Sequence, residues 1–203
     1  MIRFIRFTAP VALAAALGAC SLGGLLGASA KGPATLYTLT SSAPPAAPTR
    51  SAAVGETVTI RTPVIAKELR TTRVPVDVGP TQVQYVTNLQ WVDTPDRLFQ
   101  GLVAETIRRT TKRVVLDGGL ATLDPGLLLS GQLQKFGYDA ATRQVVVEYD
   151  GALSTAGGSR VETRRFVATA PADGTAGTVG PALNRAANQV AAEVAQWVGG
   201  PSS

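Results

Sequence analysis

Cys20 is the only cysteine in this 203-residue chain, and it stands directly after the 13-residue apolar stretch Phe7 to Ala19. A lone thiol can neither close an internal disulfide nor build a thiolate cluster, so a hydrophobic core must hold the fold together. The length suits one domain of ordinary size with such a core. At 45% apolar and 16% charged residues, the composition lies outside the disordered class. No apolar run reaches the roughly 18 residues that a transmembrane helix needs. Histidine is absent altogether. Ser-His-Asp and Cys-His catalysis, and metal sites that need imidazole, are thereby excluded.

Residues 1–20 read MIRFIRFTAPVALAAALGAC. Arg3 and Arg6 form a basic n-region, and the apolar stretch behind them is too short to span the hydrocarbon core, so residues 1–19 read as a secretory signal. The small residues Leu17-Gly18-Ala19 before Cys20 resemble a bacterial lipobox. In that motif the cysteine is acylated and becomes the mature N-terminus, here of 184 residues counted from Cys20 to Ser203. Two or three acyl chains give stable anchoring where one does not. Ser21, rather than Asp, at the next position fits an outer-membrane address under the Asp retention rule. Residues 20–34, rich in Gly, Ala and Ser, read as the lipidated cysteine and a flexible tether that reaches about 45 Å when extended.

A single domain is expected over residues 35–199, with a tail at 200–203. Thr35 to Leu39 alternates as a first strand does, and Ser41 to Glu56 reads as a Pro/Ala loop too polar to pack. A second strand is expected at Thr57 to Arg61. A hairpin follows from Arg73 to Val78 and Thr81 to Val86, turning at Gly79-Pro80. Thr94, Pro95 and Asp96 mark a helix start, with N-cap, first-position proline and an acid at the positive dipole end. Leu98, Phe99, Leu102, Val103 and Ile107 are its apolar stripe; Arg108, Arg109 and Lys112 suit its C-terminal turns. A strand at Arg113 to Leu116 follows. Leu127 to Phe136, Gln144 to Leu153 and Arg160 to Ala168 form an antiparallel meander. The last helix, from about Val179 to Val198, carries the stripe Leu183, Ala187, Val190, Val194 and Trp197, with Arg185, Asn188, Gln189, Glu193 and Gln196 largely away from it. The expected fold is α+β, a two-layer sandwich of a mainly antiparallel sheet with two amphipathic helices on one face.

No nucleophile elbow, phosphate loop or dinucleotide fingerprint occurs, and no cofactor is implied. Glu148 and Asp150 share one strand face and could pair as general acid and base. Opposite Val145, Val147 and Tyr149, they read better as a solvated face. Arg164 and Arg165 are adjacent in a strand and point to opposite faces, so they build no shared anion pocket. Arg108, Arg109, Lys112 and Arg113 could meet acidic headgroups, but as a helix terminus they need no such role, and that is the better reading. Without the two signal arginines, 17 basic residues face 14 acidic ones, too mild an excess to suggest nucleic acid. Trp197 continues an apolar stripe, whereas Trp91, just ahead of a helix, is open between core and interface.

These residues in order resemble the ABC-type transport auxiliary lipoprotein family, which includes paraquat-inducible protein C. The resemblance rests on the lipobox, Tyr37-Thr38-Leu39, Val83-Gln84-Tyr85 followed by Trp91-Val92-Asp93-Thr94-Pro95, Leu98-Phe99-Gln100, Leu129 to Leu133 with Phe136, Arg164-Arg165-Phe166, and Ala182 to Asn188. It implies a non-enzymatic outer-membrane lipoprotein, facing the periplasm and acylated at Cys20. Such a protein assists a mammalian-cell-entry (MCE) type lipid transporter. The implied partners are that system's periplasmic substrate-binding protein, its ABC permease and its ATPase. Tyr85 and Trp91 are the candidate partner-binding residues, and family analogy leaves room for a homo-oligomer. The alternative is a free-standing periplasmic lipid carrier.

Overall fold

Alternation of inward and outward side chains through residues 127–139, 144–155 and 161–171 places one face of each stretch in a core, and three long strands result. The computed structural model describes residues 35–45, 51, 53, 55–116, 126–155 and 160–200. The expected signal peptide, Cys20, the tether and much of the Pro/Ala loop lie outside the described residues. In chain order the elements are β1 (Thr57–Ile60), β2 (Val64–Ile65), a 3-10 turn (Lys67–Leu69), β3 (Arg73–Gly79), β4 (Gln82–Gln90), α1 (Pro95–Thr110), β5 (Val114–Leu116), β6 (Leu127–Asp139), β7 (Gln144–Thr155), β8 (Val161–Pro171) and α2 (Ala176–Gly199). The eight strands form one sheet, with both helices packed on one face, as the two-layer expectation has it.

β6 is the spine. One edge pairs with β7 antiparallel along its whole length, and β7 pairs in turn with β8. Three successive segments share the other edge, all parallel to β6: β1 against Leu127–Leu129, β2 against Gln132–Leu133 and β3 against Tyr138–Asp139. β4 then pairs antiparallel with β3, and β5 parallel with β1. The antiparallel meander and hairpin are as the sequence predicts; the parallel pairings of β1, β2, β3 and β5 are an addition, made by residues distant along the chain.

The inner face of this sheet carries Leu129, Leu133, Phe136, Val145, Val147, Tyr149 and Phe166, all essentially inaccessible. Phe99 of α1 meets Tyr149 at 5.2 Å between ring centroids. Tyr149 donates its phenolic hydrogen to the Ser130 carbonyl at 2.9 Å, and burial pushes the phenol pKa up. On the opposite face Arg165 grips Asp150 through Nε and Nη2 at 2.7 and 2.8 Å and reaches Glu148 at 3.3 Å. The Arg165 hydrogen bond draws the Asp150 pKa down. Glu148 and Asp150 are therefore the solvated strand face, held in a cross-strand ion pair. Arg164 lies on the other face, with its guanidinium 5.2 Å from the Phe166 ring centre.

Two expectations need correction. The strand expected at Thr35 to Leu39 reduces to one parallel bridge, Tyr37 to Trp91. Beyond Tyr37 the chain leaves the sheet because side chains on α2 capture its backbone. Asn188 is buried, not solvent-facing, and is one of those captors. Trp91 itself is 1% exposed. It reaches that position through a bulge: between the pairs Arg73–Gln90 and Pro75–Tyr85, β4 is longer than its partner, and Asn88 takes a left-handed φ of 58°. Asparagine tolerates that conformation better than most residues. The bulge turns Val86, Leu89 and Trp91 inward.

Trp91 packs edge-on to Tyr37 and 5.7 Å from Phe136, while its indole N–H has no acceptor among the described residues. Its value is thus packing rather than hydrogen bonding. Trp91→Ala is expected to cost about 3–5 kcal/mol of stability, and Trp91→Phe much less because no hydrogen bond is lost. Urea unfolding followed by circular dichroism checks both; a Phe variant as damaged as the Ala variant would contradict this account.

Candidate functional site

The expected partner surface around Tyr85 and Trp91 divides in two. Trp91 offers no face to a partner, because its ring is enclosed by Tyr37, Phe136 and the sheet; this corrects its assignment as a partner-binding residue. Tyr85 stays at the surface. It lies on β4, the outermost strand of the sheet, and Val83, two residues away on the same face, is 48% exposed. The Arg73 guanidinium sits 4.1 Å over the Tyr85 ring, and the Tyr85 hydroxyl donates to the Glu68 carbonyl in the 3-10 turn at 3.3 Å. Stacking and that bond hold the phenol in one orientation without burying it. Arg70, which caps the same turn, also lines a cleft of about 680 Å³ with Val64, Asp93 and Asp96, the acids that open α1.

The second feature is a clasp that joins the N-terminal arm, residues 35–45, to both helices. Tyr37 donates its N–H to the Gln90 carbonyl at 2.8 Å, and Val92 donates to the Tyr37 carbonyl at 2.9 Å. The chain then crosses α2. Thr40 N donates to Asn184 Oδ1 at 2.9 Å, Ser42 N to Asn188 Oδ1 at 2.7 Å, and Asn188 Nδ2 donates back to the Thr40 carbonyl at 2.8 Å. Two amides four residues apart on one helix face thus replace the missing strand partner. From α1, Arg109 Nη1 donates to the Ala43 carbonyl at 2.8 Å, and Ser41 Oγ lies 3.1 Å from Thr106 Oγ1.

Arg109 is also held at 2.6 Å by Glu105, whose pKa its hydrogen bond lowers. Arg113 donates to the Val198 carbonyl at 2.7 Å. Arg108 reaches Glu105 as well, at 3.5 Å, so the basic cluster at the end of α1 binds its own fold with three of its four members. Reading the sequence alone missed Asn184, Asn188 and Arg109 as a working set. The visible signal was the i, i+4 spacing of two asparagines beside an alanine-rich buried face.

At the start of α2, Asp173 accepts hydrogen bonds from the hydroxyls of Thr178 and Thr175 and from the Thr175 N–H, which hold its carboxyl pKa at about 2. Among the described residues no three His, Cys, Asp or Glu side chains converge as a metal site requires. No described helix is long and apolar enough to cross a membrane.

Gly180 makes the clasp possible. A Cβ there would lie 2.6 Å from two ring carbons of Tyr37. Gly180→Ala is expected to cost about 1–3 kcal/mol by displacing that ring, and to cost little in a Tyr37→Ala background. Thermal melts of the two single variants and the double variant measure the coupling; strict additivity would contradict the contact.

A family model described as the ABC-type transport auxiliary lipoprotein component matches residues 37–195. No curated protein matches the chain. Among solved structures, protein XCC0632 from Xanthomonas campestris, of the DUF330 family, is similar at 19% identity and a TM-score of 0.67, over 81% of this chain and 95% of that one. A second crystal structure, of an uncharacterised protein, is similar at 14% identity and a TM-score of 0.59, over 72% and 94%. These likenesses are of fold. The matched stretch runs from the Tyr37 bridge through the clasp to the last turns of α2, and over it the chain belongs to the ABC-type transport auxiliary lipoprotein family.

Proposed function

We propose that this protein is an outer-membrane-anchored, non-enzymatic docking subunit of an MCE-type ABC transporter that moves lipids between membranes. The observation that carries the reading is the extent of the family match, which spans the domain from its first bridge into its final helix. In this account Cys20 bears the acyl chains, residues 21–34 are the tether, and the domain works on the periplasmic side. Its partners are the periplasmic substrate-binding protein, permease and ATPase of the same system. Tyr85 supports the docking surface: tyrosine is favoured at binding hot spots, and here it is oriented by Arg73 on an edge strand beside exposed Val83.

The test is affinity purification from gently solubilised membranes, with co-purifying proteins identified by mass spectrometry. Recovery of an MCE-type substrate-binding protein together with its permease is the expected result, and recovery of the lipoprotein alone contradicts it. Tyr85→Ala should reduce that recovery while leaving the thermal melt within a few degrees of the parent. Cys20→Ala should leave the domain folded but free of membranes; its persistence on washed outer membranes would refute the anchor.

A further inference from the structure

Where α2 ends, the beginning of β6, the end of β7 and the beginning of β8 leave an open cleft of about 700 Å³. That is within the usual range of small-molecule sites, about 300–1,000 Å³. Its floor is apolar, made by Leu127, Leu153 and Trp197. Among the described residues its charged lining is Arg113, Arg160, Arg164 and Glu162, three guanidiniums to one carboxylate.

The floor is fixed rather than incidental. Trp197 lies 5.6 Å from the Phe166 ring, and its Nε1 donates to Glu162 Oε2 at 3.3 Å. The slot that admits the indole is Gly151 of β7, where an added Cβ would come within 3.2 Å of the Trp197 ring and 3.1 Å of Tyr149. Glu162 also pairs with Arg160, and Arg113 is engaged by the Val198 and Gly55 carbonyls. Arg164 has no ion pair among the described residues. A cation without a counterion therefore stands over an apolar floor whose indole is only partly buried.

We propose that this cleft binds one amphiphile with an anionic head, the head between Arg164 and Arg160 and a hydrocarbon chain along Leu127, Leu153 and Trp197. Charge complementarity selects the head and the apolar floor the chain. A zwitterionic head would leave the surplus positive charge unanswered, and an anion without a chain would leave the floor in water. The site lies on β6 to β8 and α2, apart from Tyr85 on β4, so it adds a ligand to the docking role and does not depend on it.

Native mass spectrometry of the full acylated chain, released from nonionic micelles, tests this. The probes are phosphatidylglycerol and phosphatidylcholine with identical acyl chains at equal concentration and, separately, glycerol phosphate. The expected result is one phosphatidylglycerol per chain, preferred about tenfold, with glycerol phosphate not retained. Arg164→Gln and Arg160→Gln, both at exposed positions, should each lower that occupancy about tenfold while the thermal melt is unchanged. Equal retention of the two lipids would show a chain site without head selection and overturn the proposal. So would retention of glycerol phosphate alone, or a lipid adduct indifferent to both arginine variants. The experiment contains no transporter component, so its failure and a failure of the docking reading are separately visible.

Discussion

Every part of the described domain depends on β6 being long enough to be shared. A strand has two edges, and β6 gives one entirely to β7 while dividing the other among three short segments, β1, β2 and β3. None of those three could persist alone; four, two and seven residues do not make an independent sheet. Aligned along one template they become a continuous wall, and the chain between β2 and β3 is free to make the 3-10 turn that receives the Tyr85 hydroxyl. The cost of this arrangement is that its pairings are distant in sequence. The domain gains its sheet only when residues near 60 and near 130 have met, a topology associated with slower folding.

α2 answers that sheet with small side chains. Ala182, Ala186, Ala187, Ala191 and Ala195 are all buried, which lets the helix backbone approach closely on several sides. Room created in this way is used by the arm. Gly180 receives the Tyr37 ring, Asn184 and Asn188 receive the backbone of residues 40–42, and Arg109 closes the contact from α1. Asn188 can be buried because its Oδ1 accepts from Ser42 N and its Nδ2 donates to the Thr40 and Asn184 carbonyls, so both ends of the amide are met.

How legible this was depended on whether the information was local. β6, β7, β8, the β3–β4 hairpin and both helices follow from periodicity, turn residues and the Thr-Pro-Asp start of α1, all readable over a few residues. α2 begins at Ala176, earlier than its apolar stripe suggested, because Asp173, Thr175 and Thr178 organise the turn ahead of it. β2 has two residues and so no period to read. The parallel pairings have no local signature at all. Trp91 was ambiguous because its position is set by the bulge at Asn88, and nothing in Thr87-Asn88-Leu89 announces three extra residues in the register. Asn188 was misread for a related reason: its partners are backbone groups almost 150 positions earlier, so polarity alone argued for solvent.

The picture that emerges is of a domain whose N-terminal arm is part of its packing and not a loose leader to it. For a protein proposed to hang from a membrane by that end, this matters: tension or restraint applied ahead of Thr35 reaches Trp91, α1 and α2 directly. Hydrogen exchange of the full acylated chain, read amide by amide, addresses the arm without altering any residue. The account predicts that the amides of Tyr37, Thr40, Ser42 and Val92 exchange about 100-fold or more slowly than that of Thr81 in the β3–β4 turn, in step with β4. Exchange of Tyr37, Thr40 and Ser42 at the rate of an unstructured peptide, with β6 and α2 still protected, would contradict it.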